Sequence, residues 1–116
     1  MTKQFKYHKV LTLKKAGTGE ENIDDDPVNP KVLLTLEDVA VEDETTALDY
    51  IRIGKVTSEG FFLWEEQKSP AAAELVFTSE EHKLRMGEHF RCKVKGGAAN
   101  DIIRVYLEGY WQYWKE

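Results

Sequence analysis

The sequence predicts an all-β fold: an antiparallel β-sandwich of the jelly-roll kind, with seven to eight strands in a single domain over residues 1–116. Three observations predict it. Apolar and polar residues alternate with a period of two along several segments, the mark of strands with one buried face. Turn residues recur between those segments at short, regular intervals. No segment carries the three-to-four spacing of an amphipathic helix. Two long strands late in the chain, following several short ones, favour a jelly roll over an immunoglobulin-like domain. The Cys…Trp…Cys spacing of the latter is absent, since Cys92 is the only cysteine.

The first strand spans residues 4–14, where Phe5, Tyr7, Leu11 and Leu13 alternate with Lys6, His8, Val10 and Thr12. Residues 15–30 read as a loop, with Gly17, Gly19, an acidic run and the breakers Pro27 and Pro30. It is long for a connection inside a small domain, so it is either functional or mobile. Residues 31–41 follow as a strand with Val32, Leu34 and Leu36 inward, and Glu42-Asp43-Glu44 with two threonines turns the chain. Residues 50–56 are a third strand. Thr57-Ser58-Glu59-Gly60 reverses it, with glycine where a turn wants it. Phe61-Phe62-Leu63-Trp64 is apolar on both faces, as for a strand covered on each side or touching another subunit. Residues 69–73 connect to a short strand at 74–77, and Ser79-Glu80-Glu81-His82-Lys83 reads as a capped or single helical turn.

The most regular stretch comes last. Residues 90–95 and 102–113 read as two long strands paired in a hairpin through Gly96-Gly97-Ala98-Ala99-Asn100-Asp101. Phe90, Cys92 and Val94 share one face of the first; Ile103, Val105, Leu107, Trp111 and Tyr113 share one face of the second. The paired glycines supply the positive φ that a chain reversal needs.

Composition excludes several function classes. No apolar window is long enough to span a bilayer as a helix. The N-terminus runs straight into a strand pattern with no apolar core of a signal peptide, so a product made in a reducing cytoplasm is expected. Cys92 reads as a small buried hydrophobe. Residues 1–15 carry five lysines and no acid, whereas residues 20–49 carry eleven acids against Lys31 alone. These segments would lie side by side in one subunit or meet across a subunit boundary. The basic, aromatic-interleaved face that nucleic acid requires is missing.

The pattern Leu84-x-x-Gly87-Glu88-x-Phe90, Val94-x-Gly96-Gly97-Ala98-x-x-Asp101, Val105-x-Leu107-x-Gly109-Tyr110-Trp111 resembles the C-terminal half of small jelly-roll virion proteins of tailed bacteriophages. That resemblance covers about a third of the chain. It implies a non-enzymatic structural subunit for capsid decoration or for a tail or fibre. Such a subunit would be homo-oligomeric (a trimer is favoured), attached to a capsid or tail lattice, and located in a virion assembled in the host cytoplasm.

The candidate functional residues are aromatic: Phe61, Phe62, Trp64, Tyr106, Tyr110, Trp111, Tyr113 and Trp114. In a strand Tyr110 and Trp114 point one way while Trp111 and Tyr113 point the other, and one core takes only one pair. The remainder is covered by another subunit, by the chain's own long loop, or by a ligand. The alternative to a structural role is therefore a carbohydrate- or receptor-binding module. There Tyr106, Tyr110, Trp111 and Trp114 would stack on sugar faces, and Arg104, Glu108 and Gln112 would supply hydrogen bonds.

No cofactor or metal is expected. The acidic run 20–26 offers hard oxygen ligands but lacks the spacing of an EF-hand loop, so it reads as solvated or partner-facing. His8, His82, His89 and Cys92 match no zinc spacing. No nucleophile–base pair or phosphate loop is present. Glu65 and Glu66 point to opposite faces, against joint acid–base work, and the paired histidines of a cupin are absent. The chain is not expected to be an enzyme.

Overall fold

The computed structural model describes residues 3–113, and in it the period-two segments become nine strands. They are β1 (Gln4–Lys14), β2 (Glu21–Asp24), β3 (Val32–Asp43), β4 (Leu48–Thr57), β5 (Gly60–Lys68), β6 (Val76–Thr78), β7 (His82–Leu84), β8 (His89–Gly96) and β9 (Ile102–Tyr113). One sheet runs β1-β9-β3-β6, with β7 also on β3; the other runs β2-β8-β4-β5. Every pairing is antiparallel. First strand beside last, second beside second-to-last and fourth beside fifth is the winding of a jelly roll. The predicted sandwich stands.

Its core lies between the sheets. Leu36, Val39 and Val41 of β3 and Ile103, Val105 and Leu107 of β9 meet Ile51 and Ile53 of β4 and Phe90, Cys92 and Val94 of β8, all essentially inaccessible. Each such side chain contributes about 1.5–3 kcal/mol by leaving water. The inward set read from the alternation in these strands is buried at Leu34, Leu36, Val39, Val41, Ile51, Ile53, Phe90, Cys92, Val94, Ile103, Val105 and Leu107. Val32 and Trp111 are half-buried and Tyr113 is exposed, whereas Leu33 and Thr35 on the other parity are buried.

Four expectations are corrected. Residues 90–95 and 102–113 are strands, but they do not pair with one another: β8 lies between β2 and β4, and β9 between β1 and β3. The loop at 96–101 is an arch from one sheet to the other, held where the Gly96 N–H donates to Thr18 O and the Lys15 N–H to Asp101 O. The predicted positive φ is present at Gly96 and Gly97, and also at Asn100. Secondly, the expected loop at 15–30 contains β2, because Ile23 buries itself opposite Cys92. Thirdly, the expected helical or capped turn before Leu84 is β7, paired to β3. Lastly, these two short strands raise the count from seven or eight to nine among the described residues.

The basic and acidic segments meet inside the subunit. Lys9 pairs with Asp25 and Asp26 at 2.5 and 3.3 Å. Lys15, only 1% exposed, places its ammonium 2.8 Å from Gly19 O and 3.1 Å from Glu21. A buried ammonium needs both partners to offset its lost hydration.

Candidate binding groove

Where β1, β9 and β3 outrun the shorter opposing sheet, their inward face carries large rings instead of aliphatic core. Phe5 sits directly across from Trp111, Trp111 across from Leu34, and Val32 across from Tyr113. The Phe5 and Trp111 rings stack at 4.3 Å and 19°. Tyr113 meets both edge-on, at 6.2 Å from Phe5 and 5.4 Å from Trp111. These are the offset-stacked and T-shaped geometries that aromatic quadrupoles favour.

Gly109 permits this arrangement. A bulge between Leu36 and Asp38 brings β3 so close to β9 that a Cβ on Gly109 would lie 1.9 Å from Thr35 O. Only glycine lets β3 and β9 close here.

The segment after β2 makes the opposite wall. It is pinned by Asp25 N–H to Phe90 O, Val28 N–H to Glu88 O and Gly87 N–H to Val28 O. Pro27 and Pro30, which lack an N–H, stand free on the groove side. Between wall and rings is an open groove of about 550 Å³, floored by Tyr7, Trp111 and Tyr113 and edged by His8, Lys9, Asp26 and Asn29.

Beneath the floor lies a polar anchor. The Tyr7 hydroxyl donates to Asp25 Oδ2, and the Lys9 ammonium donates to Asp25 Oδ1. Burial, and then the hydrogen bond to Asp25, pushes the Tyr7 phenol well above its ordinary value. The hydrogen bond to Asp25 also raises Lys9. Both groups therefore keep their protons at neutral pH. The arrangement can offer flat apolar faces with donors and acceptors at the rim. It supplies no nucleophile with a base beside it.

The predicted site residues divide among three places. Trp111 and Tyr113 are in the groove, the first half-buried and the second 59% exposed. Tyr106 and Tyr110 are on the outer face of the same sheet, where Tyr106 donates to Glu42 at 2.6 Å. They share no surface with Trp111, so the expected platform of Tyr106, Tyr110 and Trp111 is not assembled. Phe61, Phe62 and Trp64 belong to β5 in the other sheet. Phe61 lies under the Lys93 ammonium at 4.7 Å, and Phe62 is 63% exposed. Trp64 stacks on His82 at 4.1 Å and 5°, and burial there lowers the imidazole's proton affinity. Trp114 lies outside the described residues. Phe5, Tyr7 and the wall at 27–30 went unread as site residues. The signal was present: Phe5 and Tyr7 share the face of the first strand that the last strand's rings also use.

No protein-family model matches the chain, and no curated protein matches it. Among solved structures it is similar to a CBM4 structure over 89% of this chain and 70% of that one, with 8% identity and a TM-score of 0.47. It is also similar to the core of a Drosophila NLP, described as forming a pentamer and binding histones (97% and 100% covered, 9% identity, TM-score 0.45). A third is the TNF Eiger from S. frugiperda (86% and 92% covered, 9% identity, TM-score 0.31). Likenesses this distant carry no argument about this chain, whose fold rests on its own strand pairings. The chain is an all-β jelly-roll sandwich of nine described strands, with an aromatic-floored groove where Tyr7, Trp111 and Tyr113 face the wall at 27–30.

Proposed function

We propose that this chain is a non-catalytic recognition module whose groove binds carbohydrate. The observation that carries this reading is the ring floor of Trp111, Tyr113 and Tyr7 beneath a rim of Asn29, Asp26 and His8. A pyranose presents flat C–H faces and a girdle of hydroxyls, which need an apolar plane and fixed polar groups at its edge. Small-ligand sites are concave, mostly apolar and oriented by few polar groups. The test is tryptophan fluorescence and calorimetry during titration with a panel of soluble polysaccharides. Binding should weaken about tenfold, or 1.4 kcal/mol, in Trp111→Ala and stay unchanged in Tyr106→Phe on the opposite face. A panel that leaves the fluorescence and heat unmoved would refute the reading.

A second reading, a self-associating structural subunit of the virion kind, is favoured by a different observation. Val10, Tyr106, Ala40 and Phe77 stand in register across β1, β9, β3 and β6 on the outer face. Val10 and Phe77 are 46% and 63% exposed, an apolar row of the kind that marks interfaces. In this reading copies of the chain, as trimers or on a capsid or tail lattice, cover that row. Sedimentation of wild type and Phe77→Asp decides it: association lost in the variant supports the reading, and a wild type that stays monomeric removes it.

A further inference from the structure

At the end of the sandwich opposite the groove, two buried carboxyl groups meet. Asp43 closes β3 and Asp101 precedes β9, and they are 3% and 9% exposed. Asp43 Oδ1 accepts from the N–H groups of Thr45 and Thr46 at 3.0 and 3.2 Å. Asp101 Oδ2 accepts from the Ala98 N–H at 3.0 Å. The Thr45 hydroxyl is 3.1 Å from Asp43 Oδ1 and 3.1 Å from Asp101 Oδ1, but it has one proton to give. Asp43 Oδ2 has no donor at all and is sealed from solvent.

That oxygen points into the space which a side chain on residue 97 would fill. A Cβ on Gly97 would lie 3.0 Å from Asp101 Oδ2 and 3.3 Å from Asp43 Oδ2. Gly97 has φ near 78°, so the loop needs glycine, and both oxygens border the space that its missing side chain would fill. Two carboxylates in such a place cannot both stay ionised cheaply, because burial and like charge act together. The surrounding charges do not relieve it. Arg104 is taken by Glu44 at 3.1 Å, and the Lys15 ammonium by Gly19 and Glu21. Asp49 adds a third carboxyl near Gly96, and Glu74 faces the Ala71 N–H.

We propose that Asp43 and Asp101 share one proton, Asp43 Oδ2–H donating to the Asp101 carboxylate, and that this bond clasps the β3–β4 turn to the β8–β9 arch. Burial raises Asp43, and although burial also acts against Asp101, its hydrogen bonds bring it below the ordinary range. The pair titrates as a unit, with one step on each side of the ordinary carboxyl value. A raised carboxyl stabilises the native state below its unfolded value, and that contribution is lost as pH rises through the folded one. The clasp therefore tightens in mild acid and slackens towards neutral pH.

Carbon-13 carboxyl titration of the whole chain tests this without any substitution. One of the two should titrate above about 3.9 and the other below it, each sensing both steps. Two independent, ordinary titrations would overturn the proposal. In Asp43→Asn the amide replaces the acid as donor. Its melting temperature at pH 7 should exceed wild type by a few degrees, and the gap should close in mild acid. Asp101→Asn, with the donor on the other side, serves if the first variant fails to fold. Parallel stability profiles for variant and wild type would overturn the proposal. So would a rise in melting temperature with calcium chloride that disappears in Asp43→Asn, since the pair would then be a cation site.

Discussion

Phe5 and Trp111 are directly paired across β1 and β9, and their rings stack at 4.3 Å on a face that no strand of the opposite sheet covers. The pairing ties the first strand to the last, and of the two residues Trp111 also lines the groove. Trp111 thus serves cohesion and the proposed binding together. Trp111→Ala should therefore lower stability as well as binding, by about 2 kcal/mol, below the range for a fully buried tryptophan. Denaturant unfolding checks it. Phe5→Leu, which keeps apolar bulk but removes the ring stacked on Trp111, should cost less stability than Trp111→Ala.

Gly109 is the position where strand spacing leaves no choice. A Cβ there would enter Thr35 O, so Gly109→Ala should cost about 3 kcal/mol or more, or prevent folding. Gly19→Ala, in open space with nothing near its Cβ, is the control and should be close to neutral.

Tyr7 offers a spectroscopic handle on the polar anchor. Its phenol is held by burial and by Asp25, so ultraviolet titration should show Tyr7 as the last of the raised tyrosines to ionise, after Tyr50 and Tyr106, which carboxylates also raise. The sign follows directly. A raised phenol stabilises the native state below its unfolded value and withdraws that support as pH climbs through the folded one. Asp25→Ala removes the acceptor and should lower Tyr7, leaving the part that burial raises. It also leaves Lys9 without its buried partner.

Asp24 works in the opposite direction. Its bidentate bond with Arg91, at 2.8 and 2.9 Å, holds the carboxyl below its usual range. That contribution is present above the unfolded value and lost as pH falls through the folded one. The pair is partly exposed, so Arg91→Ala should cost about 0.2–1 kcal/mol, less in high salt. Melting curves at two ionic strengths check both sign and size.

Cys92 is inaccessible between the sheets, and burial pushes its thiol far from ionisation. A thiol reagent should fail to label the native chain and should react once denaturant opens it. Rapid labelling of the folded protein would contradict the placement of β8.

Much of the fold was legible residue by residue. Ile51, Ile53, Phe90, Val94 and Val105 are buried because alternation put them on one face, and burying that face is what drives a strand to form. Length was harder. Ile23 reads as a loop residue until Cys92 is known to lie opposite, since four residues show too little alternation to be a pattern. The groove was half legible. Trp111 and Tyr113 stood out as too large for one core, whereas Phe5 and Tyr7 looked like ordinary core of the first strand.

The sequence by itself determined most of the inward face of the longer strands and that a sandwich results. Only the tertiary structure decided which strands are neighbours. It put β8 and β9 in opposite sheets although they follow one another across a glycine-rich turn. It also brought Phe5 to Trp111 and Asp43 to Asp101 from distant parts of the chain. The reason is physical: a period of two fixes the face a side chain presents and is silent about the strand beside it. Neighbours are chosen by whichever long-range pairing buries the most apolar surface while leaving the fewest backbone groups unpaired.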